Sequence, residues 1–143
     1  MTIQELEATC RQVRRDIINM GFTVCKIDDI AKADLSGPFS FLGLTDVEKS
    51  LVCPTENAPA ETLAREDGWR ALRVAGSMEF SLVGVLAGLT GTLRDKEIPV
   101  FAISTFDTDY LLAKSERFPE ALAALEAAGY TVMHLPGEIR KNR

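Results

Sequence analysis

The stretch Phe101–Lys114, FAISTFDTDYLLAK, places two aspartates between two apolar runs. The first run, Pro99 to Thr105, and the second, Tyr110 to Lys114, are short and rich in residues that favour β-strands. A short polar insert between two such runs is typical of strands joined by a turn. The stretch therefore predicts two neighbouring strands of one small sheet, with the carboxylates of Asp107 and Asp109 at their junction.

The residues around this stretch predict a complete α+β unit. Leucines recur at helical spacing between Phe80 and Lys96, and a second helix has Pro119 near its first turn and Gly129 as its stop. In chain order, the predicted elements are the strand Trp69–Val74, the helix Phe80–Lys96, the two strands above, the helix Glu116–Ala128 and the strand Tyr130–Leu135. This β-α-β-β-α-β order is the ferredoxin-like arrangement.

Glycines inside the first of these helices need a reason. Gly84, Gly88 and Gly91 lie within the leucine-periodic segment, and each costs roughly 1 kcal/mol relative to alanine in a helix. We expect the helix backbone to pack closely against a neighbour there. A phosphate-binding loop is disfavoured, because the segment lacks the Gly-Lys-Ser/Thr ending.

The first half of the chain is less regular. Apolar residues at three- and four-residue spacing predict an amphipathic helix over Ile3–Met20 that ends at Gly21. Thr45 and Glu48 fit a short capped helical turn. Three strands are predicted in this half, at Phe22–Ile27, Phe39–Leu44 and Ser50–Cys53. The Pro-, Ala- and Glu-rich composition of Pro54–Gly68 indicates a linker between two halves.

Composition excludes several classes of protein. The chain has 143 residues and a net charge of −5, which argues against nucleic acid or an anionic membrane as partner. No apolar run approaches the ~20 residues that span a bilayer, and the first fifteen residues lack a signal-peptide core. Cys10, Cys25 and Cys53 show no metal-site spacing, so we expect reduced core thiols in a cytoplasmic protein.

The residues themselves indicate a binding site for a zwitterion. The start of the Phe80 helix offers unpaired N–H groups and the positive end of the helix dipole, and Gly76 would let the backbone approach a ligand. Asp107 and Asp109 offer acceptors and charge, and would project to the same side if the chain were extended there. The alternative is that Asp107-Thr108 is simply the tight turn of a hairpin.

The segments WRALRV, EFSLVGVLAGL, PVFAISTFDTDYLL and AAGYTV together resemble an ACT domain. With FSFLGLTDVEKSLVCP in the first half, the chain is similar to small bacterial proteins with two tandem ACT-like halves, which are related to the eukaryotic CASTOR arginine sensors. The resemblance implies a ferredoxin-like βαββαβ ACT fold with antiparallel sheets. It divides the chain into an N-terminal helical extension (1–21), a degenerate first half (22–66), an ACT domain (67–136) and a tail (137–143).

The same resemblance implies a ligand-binding, non-catalytic protein. ACT domains hold a free amino acid at an interface between domains, and the positions that match theirs are Ser77, Met78, Glu79, Phe80, Ser81, Ser104, Thr105, Phe106, Asp107 and Asp109. Of the two aspartates, Asp109 matches the ligand-contacting residue of the arginine sensors. The expected partners are therefore a polar amino acid such as arginine and a second copy of the chain, as a homodimer.

No catalytic set, metal site or cofactor is expected. His134 is the only histidine and lies on a predicted strand, where a structural role is the simplest interpretation. The competing hypothesis is a ligand-free structural module that dimerises or docks a partner enzyme through the same surfaces, with the N-terminal helix as its contact. The two hypotheses differ in whether Asp109 matters for a response to amino acids.

Overall fold

A computed structural model describes residues 15–74, 82–130 and 132–134. Within these ranges the strands are β1 (Arg15–Ile27), β2 (Phe41–Leu44), β3 (Lys49–Pro54), β4 (Ala64–Val74), β5 (Val100–Ser104), β6 (Asp109–Lys114) and β7 (Val132–His134), and the α-helices are α1 (Leu82–Asp95) and α2 (Phe118–Ala127). Met20–Trp69 form one compact unit, called the small unit here. The described residues before Met20 and after Trp69 form the other, called the large unit.

The small unit is an antiparallel sheet without an α-helix. β3 pairs with β1 on one side, from Phe22 opposite Pro54 to Ile27 opposite Lys49, and with β2 on the other. Two of its connections contain 3-10 turns, Ile30–Lys32 and Thr55–Asn57. One face of the sheet buries a small core of Cys25, Ile27, Leu51 and Cys53, against which Ala33, Leu42 and Ala58 pack.

The large unit confirms the predicted β-α-β-β-α-β order. β6 lies between β4 and β5, and β5 and β6 form an antiparallel hairpin. β7 pairs in parallel with the start of β1, Arg15–Ile17. The two helices pack on the sheet through a shared core, whose members are Ile17, Leu72, Val74, Leu89, Leu93, Ile98, Leu111, Ala113, Phe118, Ala121, Ala124, Leu125 and Tyr130.

The prediction of an N-terminal helix through Met20 is wrong for its last part. β1 begins at Arg15 and runs through Gly21, which does not end a helix. Ile17 and Ile18 are both buried. Successive side chains of a strand point to opposite faces of the sheet, so burial of both fits a strand covered on both sides. The rest of the predicted helix, residues 3–14, lies outside the described residues.

Two predictions for the small unit are also corrected. Thr45–Glu48 form the turn of the β2–β3 hairpin instead of a helical turn, because the Thr45 amide donates to Glu48 O at 3.0 Å. Pro54–Gly68 is not a free linker. Pro54 completes β3, Ala64–Gly68 belong to β4, and the Leu63 amide donates to Lys26 O at 2.7 Å. Backbone hydrogen bonding therefore orders a segment whose composition resembles a loop.

The helix predictions agree more closely with the structure. Leu89 and Leu93 are buried as the periodicity predicted, and Gly129 follows α2 with φ 96°. A Cβ placed on Gly88 would lie 2.7 Å from the Tyr130 hydroxyl, so the expected close approach of the α1 backbone is confirmed there. A Cβ placed on Gly91 would meet nothing within 4 Å. In the described part of the chain, no helix has both the length and the apolar character needed to cross a membrane.

Candidate ligand site

The β5–β6 hairpin brings two of the sequence-predicted site residues together. Ser104 and Asp109 face each other as the last pair of the ladder. The turn between them closes through the Thr105 amide, which donates to Thr108 O at 2.8 Å, and the Thr105 hydroxyl donates to the same oxygen at 3.0 Å. Asp107 and Thr108 therefore belong to the tight turn of a hairpin.

Asp109 is a buried carboxylate with one oxygen unused. Its side chain is 1% exposed, and the Ser104 hydroxyl donates to Oδ1. Oδ2 is also buried and has no hydrogen-bond partner among the described residues. An unsatisfied buried acceptor costs roughly 1–3 kcal/mol, and more when it is charged. Such an oxygen is suited to accept a donor from a bound molecule.

The pleat of β6 explains why Asp109 is buried. Side chains at alternate positions of a strand share a face, so Asp109 shares its face with Leu111 and Ala113. Both of these residues belong to the core beneath the helices. The carboxylate thus lies at the end of an apolar row, on the face of the sheet that the helices cover.

A second polar contact attaches this hairpin to β4. The Thr108 hydroxyl donates to the backbone carbonyl of Val74, the last residue of β4. The sequence analysis did not select Thr108 or Val74 as site residues. Thr45 and Thr105 each lie four residues before the first residue of a strand. This shared spacing was the available signal in the sequence that a threonine hydroxyl fixes the shape of the turn.

The other predicted site residues are divided between the hairpin tip and the undescribed part of the chain. Thr105 contributes its hydroxyl to the turn, while Phe106 and Asp107 are exposed at the tip. Phe106 is 99% exposed. The five residues 77–81 lie outside the described residues. The structure therefore brings Ser104 and Asp109 into contact. It buries Asp109 and leaves Asp107 exposed.

The described cysteines have the properties of core thiols. Burial raises the pKa of the Cys53 thiol to about 11, with the nearby Cys25 as a second cause, and burial also raises the pKa of Cys25. A thiol becomes a good nucleophile or metal ligand as the thiolate, which these environments disfavour. No group of three or more His, Cys, Asp and Glu that could hold a metal ion occurs in the described residues.

Comparison with known proteins supports the fold. The sequence model of the ACT domain family matches residues 64–127, from the start of β4 to the end of α2. A protein from Agobacterium tumefaciens has a similar structure, with 26% identity, a TM-score of 0.77, and coverage of 87% of this chain and 94% of that one. A Vibrio cholerae protein of unknown function, described as a possible transport protein, has 18% identity, a TM-score of 0.67 and coverage of 89% and 98%.

An aspartate kinase from Clostridium acetobutylicum, described as an allosteric enzyme, is a more distant structural neighbour. It has 11% identity and a TM-score of 0.57, over 80% of this chain and 33% of the kinase. No curated protein sequence matches the chain. The ACT family model thus matches a region in the second half of the chain, and the solved structures show the same kind of fold, an α+β fold that has an antiparallel sheet.

Proposed function

We propose that this chain is a non-catalytic regulatory protein that binds a free amino acid beside Asp109. The observation that carries the proposal is the buried Oδ2 of Asp109, which lacks a partner among the described residues while Ser104 holds Oδ1. An ammonium or guanidinium group supplies the donors and the charge that such an oxygen requires. The similarity to an allosteric aspartate kinase supports a regulatory role.

We further propose that the chain contains two ACT-like halves. The hairpins of the two units have the same register, with Phe41 opposite Val52 in one and Phe101 opposite Leu112 in the other. Each strand pair is followed by a 3-10 turn, Thr55–Asn57 or Ser115–Arg117. This correspondence supports the tandem arrangement. The resemblance of the sequence to the arginine sensors makes arginine the first ligand to test.

Thermal unfolding with a panel of free amino acids tests the proposal. A ligand at ~100 times its dissociation constant adds about 2.7 kcal/mol to the free energy of unfolding, which corresponds to several degrees for a domain of this size. We expect arginine or another polar amino acid to raise the midpoint, and D-arginine and agmatine, which lacks the carboxylate, to raise it less. A panel in which no amino acid moves the midpoint would contradict the proposal.

Asp109→Asn assigns the response to the site. The substitution preserves the shape of the side chain and removes its charge, so we expect the ligand-dependent shift to disappear while the midpoint without ligand stays close to that of the parent protein. Asp107→Asn is the matched control, because Asp107 is exposed at the same hairpin and should leave the shift intact. Retention of the full shift in Asp109→Asn would remove the carboxylate from the binding site.

The second candidate function is a ligand-free docking module. Exposure of the Phe106 ring favours it, because a fully exposed phenylalanine on an ordered turn is a common anchor of protein interfaces. Under this hypothesis the panel gives no shift, and Asp109→Asn changes neither ligand response nor association.

A further inference from the structure

The exposed large apolar side chains of the described residues are concentrated in the small unit. Those in the small unit are Ile30, Leu35, Leu44, Val47 and Leu63, and the one in the large unit is Phe106. The small unit is described without a gap from Met20 to Trp69. Apolar side chains that are exposed together on one surface usually mark an interaction site.

Two of these side chains lie where β2 ends and β3 begins. Leu44 is the last residue of β2 and pairs with Lys49, the first residue of β3. Val47 lies in the turn between them, where its amide donates to the Thr45 hydroxyl at 3.2 Å. Leu44 is 55% exposed and Val47 is 76% exposed. The hairpin turn therefore presents apolar side chains to solvent.

The neighbouring strands bring two more apolar side chains to the same end of the sheet. β1 ends at Ile27, which lies opposite Lys49, and Ile30 follows in a 3-10 turn. Leu63 directly precedes β4, and its amide donates to Lys26 O at 2.7 Å, beside the end of β1. The strand-end surface, as we call it, consists of Ile30, Leu44, Val47 and Leu63.

The spacing of these side chains matches a helix laid across the strand ends. The strand order is β2-β3-β1-β4, so the surface extends over four neighbouring strand ends. Neighbouring strands lie roughly 4.8 Å apart, and successive turns of an α-helix are about 5.4 Å apart. Apolar residues at three- and four-residue spacing on a helix of about three turns would therefore each meet one strand end.

The loops at this end of the sheet carry a surplus of negative charge. Five exposed carboxylates stand against two exposed ammonium groups, the carboxylates being those of Asp28, Asp29, Asp46, Glu48 and Glu61 and the ammonium groups those of Lys32 and Lys49. Lys32 is itself paired with Asp28 at 2.9 Å and lies 3.8 Å from Glu61. An apolar surface with an acidic rim is complementary to a partner that surrounds its apolar stripe with cations.

We propose that the strand-end surface binds a basic amphipathic helix of a partner protein. The apolar stripe of that helix covers Leu44, Val47, Ile30 and Leu63, and its lysine or arginine side chains meet the carboxylates of the surrounding loops. The inference concerns the small unit alone. It is independent of the amino-acid site proposed beside Asp109.

Fluorescence anisotropy with designed peptides and the full chain tests the chemistry of the partner. The probe is a labelled helical peptide of about 18 residues with leucines at three- and four-residue spacing and lysines beside them. We expect this peptide to bind, and the same peptide with glutamates in place of the lysines to bind at least about tenfold more weakly. A peptide of the same composition with leucine at every second position should also bind more weakly. No binding of the lysine peptide, or equal binding of the three peptides, would overturn the inference.

Substitutions on the exposed side chains locate the binding. The double variant Val47→Ser with Leu63→Ser should weaken binding of the lysine peptide at least about tenfold, because truncation of interface anchors removes most of the binding energy. Phe106→Ser is the matched control, since Phe106 is equally exposed but lies on the other hairpin, and it should leave binding unchanged. Equal weakening by the control would contradict the assignment. Self-association of the parent protein that the double variant abolishes would give this surface to a second copy of the chain and would likewise overturn the inference.

Discussion

The hairpins β2–β3 and β5–β6 have the same turn and differ at the pair that closes the ladder. Thr45 and Thr105 each donate their amide and hydroxyl to the carbonyl three residues later. The closing pair is Leu44 with Lys49 in the small unit and Ser104 with Asp109 in the large unit. Leu44 is 55% exposed and Lys49 is exposed, whereas Asp109 is buried. The shared threonine specifies the turn, and the closing pair decides whether the end of the hairpin carries a buried carboxylate.

The prediction with the largest expected effect compares how much a buried leucine of each hairpin contributes to the stability of its core. Leu51 and Leu111 occupy corresponding positions and are both buried. Truncation of a buried leucine to alanine costs about 2–5 kcal/mol, and the cost rises where the surroundings cannot collapse into the cavity. We expect Leu111→Ala in the larger core to lower the free energy of unfolding more than Leu51→Ala, as measured by urea denaturation. Equal losses would show that the small core is packed as rigidly as the large one.

A thiol-dependent pH effect is expected in the small unit, because β3 has Cys53 where β6 has Ala113. The pKa of Cys53 is raised to about 11 in the folded protein from an ordinary value of 9.0. The folded state holds the thiol proton more tightly, so this contribution is complete below pH ~9 and falls as the pH rises toward ~11, by about 2–3 kcal/mol in all.

Urea denaturation at neutral and alkaline pH measures this contribution. Between neutral and alkaline pH, the free energy of unfolding of Cys53→Ala should fall by less than that of the parent protein. Cys25 remains in both proteins, and its raised pKa contributes a residual decline. An identical decline in the two proteins would assign the pH dependence to other groups.

The smallest expected effect concerns the closing pair itself. Ser104→Ala removes the donor to the buried Oδ1 of Asp109 and should lower the free energy of unfolding by about 1–3 kcal/mol. Leu44→Ala changes an exposed side chain at the corresponding position and should stay within about 0.5 kcal/mol of the parent protein. Thermal and urea unfolding measure both. A cost for Leu44→Ala as large as that for Ser104→Ala would contradict the difference drawn between the two hairpins.

Local patterns in the sequence predicted the helices and strands of the large unit, because the residues that define each element lie close together in the sequence. The leucines of α1 and the alternation in β4 lie within single elements, and the turn residues around Asp107 limit the hairpin to one register. Burial of Asp109 was within reach of the same reasoning, since it shares a strand face with Leu111. The difference in burial between Asp109 and Asp107 could not be predicted in this way, because it depends on where the turn begins.

The start of β1 could not be predicted in this way. Apolar residues up to Ile17 fit a helical spacing, but Arg15–Ile17 pair with Val132–His134, which are almost the whole chain away. A local pattern contains no information about such a partner. The corrected segment Ala64–Gly68 shows the same limit, since polar residues there complete a strand through backbone bonds to distant residues.

The parallel pairing of β1 with β7 has a consequence for synthesis on the ribosome. Arg15–Ile17 emerge early, whereas Val132–His134 are among the last of the described residues to emerge. The hairpin β2–β3 pairs residues close in sequence and can form while translation continues, but the β1–β7 ladder must wait for nearly the entire chain. During that interval Arg15–Ile17 lack their β7 partner, although the later part of β1 can already pair with β3, and a nascent chain halted before residue 132 should aggregate more readily than the finished one.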